Sequence, residues 1–196
     1  MNTITVEALL ELAETARTQD TRDTYLWALP WAKVGAYYNF LYLLAEKINP
    51  GFIVELGVHH GTGTAHLAAG APNATVVGID LDLEDLKLEF RDNIKLWKGD
   101  SLAYARKLQG RKYMNDLWGE RREVRIDLLF IDTEHTTAQC LAEYRAYLPL
   151  MAPGGIILFD DLFMGGMSGV WPAIAEPKVI LPDLHAHLGF GAAIIG

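Results

Sequence analysis

The sequence predicts an α/β fold with a doubly wound, mostly parallel sheet, and three observations support this class. Short apolar segments rich in β-branched residues alternate with helical patterns after residue 51. The segments are apolar on both sides, which is typical of parallel strands that are covered on both faces. The last two segments are joined by a short link, which favours an antiparallel pair. We therefore expect seven strands with an antiparallel last strand.

Two helices are predicted before the sheet. Residues 5–18 repeat apolar side chains at the spacing of one helix face, and Thr5 can cap this helix. The second helix has Pro30 in its first turn and ends at 49–51, which read Asn-Pro-Gly. We expect an N-terminal helical cap over 1–50 added to a main domain over 51–196, with the whole chain forming a single compact unit.

The segments that follow are assigned in chain order. Between the third helix and the fourth strand, residues 110–125 are polar and predict a surface excursion. The predicted strands are 52–57, 75–80, 94–99, 126–132, 154–160, 178–182 and 189–195, and the predicted helices are 64–69, 83–91, 101–109, 137–148 and 170–175.

Composition and charge exclude several functions. The formal net charge is -8 and the basic residues are scattered, so no basic stripe is present to bind a nucleic acid. Cys140 is the single cysteine, no signal peptide precedes the first helix, and no apolar segment approaches the about 20 residues that span a bilayer. We expect a cytoplasmic protein that is not inserted in a membrane.

A glycine-rich turn follows the first strand. Gly57, Gly61 and Gly63 precede a helix that begins near Thr64, and exposed amides at such a helix start favour an anion. The turn lacks the lysine of a nucleoside-triphosphate turn, and its glycine spacing, G-x-x-x-G-x-G, differs from the G-x-G-x-x-G of dinucleotide folds. A glycine turn that only lets the helix pack on the sheet remains the alternative.

An acid at the end of the second strand strengthens the ligand interpretation. Asp80 lies 23 residues after Gly57, close to the spacing at which an acid accepts hydrogen bonds from ribose hydroxyls. Asp82 lies two residues further on and is expected to be solvated.

These motifs together resemble those of class I S-adenosylmethionine-dependent methyltransferases, which have a Rossmann-like sheet. The segments are "VELGVHHGTGT" at 54–64, "VVGIDLD" at 76–82 and "KGDS" at 98–101, and the resemblance covers roughly 50–196. It implies that Asp80 binds the ribose, that Asp100 and Ser101 lie by the adenine, and that Asp132 also borders the cofactor. The resemblance also implies that the methionine part of the cofactor is lined by Glu55, Gly57, Gly61, Gly63 and Thr64.

Three acids end the fourth and fifth strands of the alternation. Asp132 and Asp160 are 28 residues apart, about the length of one strand–helix–strand unit, so their strands should be neighbours. Adjacent parallel strands lie about 4.8 Å apart, close enough for carboxylates at their ends to bind one cation. With Asp161, they form a candidate Mg²⁺ site. Strand ends that simply reach solvent are the alternative.

The segments "FIDTEH" and "APGGIILFDDL" are similar to those of metal-dependent O-methyltransferases, namely the catechol, macrolide-sugar and cephalosporin-hydroxylase-like groups. The resemblance implies that His135 is the general base, at the position where these families carry Lys or His. A histidine with a reference pKa of about 6.5 suits this role. Glu134 is expected to face solvent or to support a neighbouring site residue, and not to ligate the metal. The predicted function is Mg²⁺-dependent methyl transfer to a small hydroxylated acceptor, such as a vicinal diol, a sugar or a catechol.

Two other functions stay open at this stage: an S-adenosylmethionine-binding protein without transfer activity, and a dinucleotide-dependent oxidoreductase. Neither His59 and His60 nor the pair His185 and His187 is assigned a role, the latter because two histidines on one strand face lack a third ligand. Trp27, Trp31, Tyr37 and Tyr38 either cap the crevice or belong to the core. The acceptor pocket is either open or completed by a second subunit, which leaves a homo-oligomer possible.

Overall fold

The computed structural model describes residues 1–18, 35–88, 91–111, 113–115, 121–185 and 187–196. The described helices are α1 (Val6–Thr18), α2 (Ala36–Ile48), α3 (Thr62–Gly70), α4 (Ser101–Gln109), α5 (Thr137–Tyr147) and α6 (Val170–Ala173), with a 3-10 turn at Leu148–Leu150. The strands are β1 (Phe52–Leu56), β2 (Thr75–Asp80), β3 (Ile94–Lys98), β4 (Tyr113–Asn115), β5 (Arg121–Glu123), β6 (Ile126–Ile131), β7 (Met151–Phe159), β8 (Lys178–Ile180) and β9 (Gly191–Ile194).

Seven strands form the main sheet in the order β3-β2-β1-β6-β7-β9-β8. The first five of these positions are occupied by strands that pair in parallel, whereas β9 is antiparallel to both β7 and β8. The predicted α/β fold with a seven-stranded, mostly parallel sheet and an antiparallel last strand is confirmed. The order reverses at β1, which has β2 on one side and β6 on the other.

Alternate residues of the strands enter two separate cores, as the period of an extended chain requires. Ile53 and Phe130 point to the face that is covered by α1, α2 and α3. Val54 and Leu129 point to the opposite face, which α4 and α5 cover. Both faces of the central strands are therefore dry, which explains why their sequences are apolar on both sides.

Helix α1 begins as predicted, since the amide of Ala8 donates to the hydroxyl of Thr5 at 3.2 Å. Helix α2 begins at Ala36 with Gly35 as its N-cap, six residues after the Pro30 that was predicted in its first turn. Pro30 itself lies outside the described residues. Both helices pack on the sheet, and none of the described helices is long and apolar enough to cross a membrane.

The predicted helix over 83–91 is wrong for residues 83–88, which form turns; residues 89 and 90 are outside the described part of the chain. Local hydrogen bonds compete with the helix here, because the amide of Glu84 donates to Asp82 Oδ1 at 3.2 Å. Leu88 is buried against the first core. The apolar residues of this segment therefore cover the first core from an irregular segment and not from a helix.

Two shorter segments also differ from the predictions. The excursion over 110–125 contains the antiparallel pair β4 and β5, which forms a second sheet. His185 and His187 lie in turns between β8 and β9, so they do not share a strand face.

Candidate active site

The reversal of strand order places the end of β1 beside the end of β6, where open α/β sheets bind ligands. The amide of Asp132 donates to the carbonyl of Leu56 at 2.8 Å. Gly57, the next residue, has φ +86, and a Cβ atom there would lie 1.7 Å from the Asp132 carbonyl oxygen. Only glycine fits this position, because the two chains touch backbone to backbone.

A cavity of about 570 Å³ opens at this point, within the usual range for small-ligand sites. Eight of the predicted site residues line it: Glu55, Gly57, Gly63, Asp80, Asp100, Ser101, Asp132 and His135. The lining also includes Tyr38, His59, His60, Thr133, Glu134, Gln139 and Glu143.

Asp80 organises the glycine turn. Its Oδ2 atom accepts hydrogen bonds from the amides of Val58 and His59, both at 2.8 Å. Its Oδ1 atom accepts from the amide of Asp82 at 3.1 Å. Asp82 is exposed, as expected, and its carboxylate pairs with Lys98 at 2.8 Å. The acid at the end of β2 therefore fixes the turn that borders the cavity.

Glu55 is a buried carboxyl group at the base of the cavity. Only 1% of the residue is exposed, and the Thr64 hydroxyl donates to its Oε2 atom. Burial raises the pKa of Glu55 well above its ordinary value. A Cβ atom at Gly63 would lie 2.0 Å from Glu55 Oε1, so a glycine is needed beside the carboxyl group.

Two predicted residues of the turn lie behind the cavity wall. Gly61 has φ +87, and a Cβ atom there would lie 2.7 Å from the Cβ of Leu88. Thr64 is fully buried and contacts the cavity only through its hydrogen bond to Glu55. Both residues shape the turn, and neither lines the cavity.

The other end of the cavity is built on the start of α4. Asp100 caps this helix by accepting from the amide of Ala103 at 2.6 Å. Ser101 donates from its hydroxyl to Glu143 Oε1 at 2.6 Å, and Thr133 donates to Glu143 Oε2 at 2.7 Å. Gln139 adds a third hydrogen bond to Glu143 at 2.9 Å. The predicted pair Asp100 and Ser101 therefore belongs to a larger polar wall.

The sequence analysis did not identify Glu143. It lies on α5, is fully buried, and its pKa is raised chiefly by burial. A signal was present, since Glu143 shares the helix face of Cys140, Tyr144 and Tyr147, all of them buried. An acid on an apolar helix face needs polar partners, which here come from the cavity wall.

The three predicted acids converge at the ends of β6 and β7, which are parallel neighbours as expected. His135 Nε2 lies 3.4 Å from Asp132 Oδ1 and 3.0 Å from Asp161 Oδ2. Burial raises the pKa of both Asp132 and Asp161. The hydrogen bond to Asp132 is the largest cause of a raised pKa at His135. Asp160 is the most buried of the three acids, with 2% of the residue exposed, and it is not among the carboxylates paired with His135.

His185 completes the cluster and was given no role from the sequence. Its Nδ1 atom lies 2.8 Å from Asp160 Oδ1, and this hydrogen bond is the first cause of its raised pKa. No local pattern in the sequence predicts this contact, because His185 lies in a turn 25 residues after Asp160. His59 and His60, also discounted, stack on each other at 3.7 Å and line the cavity.

The donor atoms suit a divalent cation. Two overlapping groups have their ligand atoms within 4.8 Å of one another: Asp132, His135 and Asp161, and then Asp160, Asp161 and His185. Asp161 Oδ1 is buried and has no hydrogen-bond partner among the described residues. A buried carboxylate oxygen without a partner is costly, and a bound cation would supply one.

The methyltransferase-domain family matches residues 54–162, which is more than half of the chain. The chain therefore belongs to this family, and the prediction of a methyltransferase is confirmed. The matched range begins in β1 and ends just after Asp160 and Asp161. It contains the whole cavity wall described above apart from Tyr38. The oxidoreductase alternative finds no support in this match.

Solved structures and one curated relative are similar to the chain. An O-methyltransferase from Bacillus cereus in complex with SAH superposes with a TM-score of 0.66 at 20% identity, covering 98% of this chain and 92% of that one. The MycE methyltransferase of the mycinamycin biosynthetic pathway, in complex with Mg and SAH, has a TM-score of 0.51 at 15% identity, covering 82% and 40%. The uncharacterized protein y4gI of Sinorhizobium fredii is 23% identical over 84% of this chain, which spans only 19% of that relative.

Proposed function

We propose that this protein is an S-adenosylmethionine-dependent O-methyltransferase that uses a divalent cation and acts on a small hydroxylated acceptor. The observation that carries the proposal is the position of Asp132. Asp132 lines the cavity that would hold the cofactor, and its carboxylate also belongs to the cluster of acids and histidines at the ends of β6 and β7. A methyl donor in the cavity and an acceptor at the cluster would therefore meet at one residue.

The cavity has the features that a nucleoside with an amino-acid tail requires. Gly57 lets the turn after β1 lie directly against the backbone of Asp132 at the cavity wall, and Asp80 offers a carboxylate next to the turn. Ser101 and Glu143 provide a polar wall at the far end. The Bacillus cereus O-methyltransferase and MycE, both bound to SAH, support S-adenosylmethionine as the donor and SAH as the product.

The cluster provides the chemistry at the acceptor. His135 Nε2 faces two carboxylates, and the side chain is one-third exposed, so an acceptor hydroxyl can reach the ring. We assign it the role of removing the hydroxyl proton as the oxygen attacks the methyl group in line. Burial of the site and fixed positions of the two reactants supply much of the rate. The raised pKa of His135 means that its basic form is populated only at higher pH than for a free imidazole.

Asp132, Asp160 and Asp161 would hold the cation, with Asp161 Oδ1 as the donor atom that lacks a hydrogen-bond partner among the described residues. When bound, a divalent cation stabilises negative charge on oxygen and lowers the pKa of a hydroxyl that it contacts. The Mg ion in MycE supports a cation in this function. An acceptor with two adjacent oxygens, as in a vicinal diol, a sugar or a catechol, suits such a centre.

Thermal unfolding tests the cofactor. A ligand present at 100 times its dissociation constant adds about 2.7 kcal/mol, which raises the Tm of a chain of this size by roughly 5 to 10 °C. We expect this shift with S-adenosylmethionine and with SAH, and no shift with NAD. A shift with NAD alone would overturn the proposal.

Transfer to a diol or catechol panel then separates an enzyme from a cofactor-binding protein. Asp160→Asn is expected to abolish cation-dependent transfer while the SAH-induced Tm shift stays, because Asp160 lies outside the cavity lining. Activity that is equal in EDTA removes the cation from the mechanism. His135→Ala should lower the rate on the order of 100-fold or more near pH 7, and a full rate in this variant refutes the base assignment.

A further inference from the structure

His185 is held in a defined orientation although it lies in a turn. Its ring stacks on Tyr37 of α2, with centroids 4.6 Å apart and planes 27° apart. On its other side, Nδ1 lies 2.8 Å from Asp160 Oδ1 and 3.4 Å from Asp161 Oδ1. Two elements far apart in the chain therefore aim one imidazole nitrogen at two buried carboxylates.

The spacing of these donor atoms is that of ligands on one ion. Two ligands at 90° around a cation, each about 2.1 Å from it, lie roughly 3.0 Å apart. The distances from His185 Nδ1 to Asp160 and Asp161 bracket this value. Asp161 Oδ1 is buried without a hydrogen-bond partner among the described residues, and its contact with the same nitrogen is the longer one, at 3.4 Å.

The donor set decides which cation fits. Mg²⁺ prefers an all-oxygen shell, whereas imidazole suits Zn²⁺, Fe²⁺, Ni²⁺ and similar ions. The cluster contains imidazole nitrogens of both His135 and His185 beside its carboxylates. His185 is not needed for proton transfer, because that role is assigned to His135, which lines the cavity, whereas His185 does not.

We propose that His185 is a metal ligand through Nδ1, and that the centre is therefore a mixed nitrogen and oxygen site selective for transition-metal cations over Mg²⁺. The inference rests on the proposed cation site and names the class of ion that occupies it. An ion pair between His185 and Asp160 without a metal role is the competing outcome.

Calorimetric titration with Co²⁺ and with Mg²⁺ tests the proposal on the full chain. The variant is His185→Asn, whose amide nitrogen can keep the hydrogen bond to Asp160 but whose imidazole is gone. His187→Asn is the matched control, because His187 is exposed and belongs to neither ligand group. The visible absorption spectrum of bound Co²⁺ is recorded in parallel, since its bands change when a ligand of the ion is lost.

We expect the wild type to bind Co²⁺ at least about 100-fold more tightly than Mg²⁺. His185→Asn should weaken Co²⁺ binding at least about 10-fold and change its spectrum, and should alter Mg²⁺ binding by less than about 3-fold. His187→Asn should behave as the wild type. If His185→Asn binds Co²⁺ with wild-type affinity and spectrum, the ligand assignment is refuted.

The SAH-induced Tm shift, measured on the same samples, separates the two levels of the argument. Absence of Co²⁺ and Mg²⁺ binding in the wild type, with the SAH shift present, refutes the cation site and this inference but leaves the cofactor assignment standing. If His185→Asn does not fold, His185→Gln takes its place, and its Co²⁺ affinity and spectrum are judged by the same criteria.

Discussion

Gly57→Ala is the substitution whose effect follows most directly from the structure. Gly57 has φ +86, a region that costs an L-residue about 1 to 2 kcal/mol. The added Cβ atom would also lie 1.7 Å from the Asp132 carbonyl oxygen, so one of the two chains must move. Overpacking of this kind costs about 1 to 3 kcal/mol.

Together these effects predict a loss of about 2 to 5 kcal/mol in the free energy of unfolding, and a Tm lower by about 4 to 20 °C. The variant should also bind SAH at least about 10-fold more weakly, equivalent to about 1.4 kcal/mol, since Gly57 and Asp132 both border the cavity and one of them must move. Calorimetry and isothermal titration measure the two effects.

Gly165→Ala is the matched control, because Gly165 is exposed and a Cβ atom there meets nothing within 4 Å. Its Tm and SAH affinity should equal those of the wild type. A Gly57→Ala protein with the same Tm and affinity as Gly165→Ala would refute the argument that close backbone contact requires glycine.

Three further outcomes are expected. Asp80→Ala leaves the amides of Val58 and His59 without their acceptor, and should cost about 1 to 3 kcal/mol of stability and weaken SAH binding, measured by urea unfolding and titration; unchanged SAH affinity would remove Asp80 from the site. Glu55 has a raised pKa, so the folded state binds more protons than the unfolded state above about pH 4.3, and the stability of the ligand-free protein should fall as pH rises; Glu55→Gln should flatten the Tm curve between pH 5 and pH 8 on the order of several degrees, and equal slopes for the two proteins contradict the burial argument. Glu143→Ala strips the acceptor from three donors, so we expect a loss of at least about 3 kcal/mol by calorimetry, against about 1 kcal/mol or less for Gln139→Ala, and similar losses in both variants would refute the network.

The fold was predictable because the signals that define it are local. Parallel strands buried on both faces must be apolar on both sides, and the strands of the main sheet are recognisable from their period and from their end residues. The failures have the same origin. Residues 83–88 carry a helical pattern, but side-chain acceptors such as Asp82 compete for the backbone amides, and Leu88 packs as part of a turn.

Part of the candidate site could also be predicted from the sequence. Asp132 and Asp160 follow adjacent parallel strands, so topology alone brings their backbones together. The glycine turn and Asp80 lie at fixed positions after β1 and β2, and the structure places Asp80 on the amides of that turn. Local pattern and sheet topology are enough for such residues.

The sequence by itself therefore determined the sheet, the glycine turn and the carboxylates at the strand ends, because each depends on short-range spacing and on the rule that parallel strands end at one edge. Only the tertiary structure decided that Glu143 anchors the cavity wall and that His185 reaches Asp160. The physical reason is that both contacts join elements distant in the chain, and packing of α5 and of the last turn, which no local pattern encodes, sets their distances.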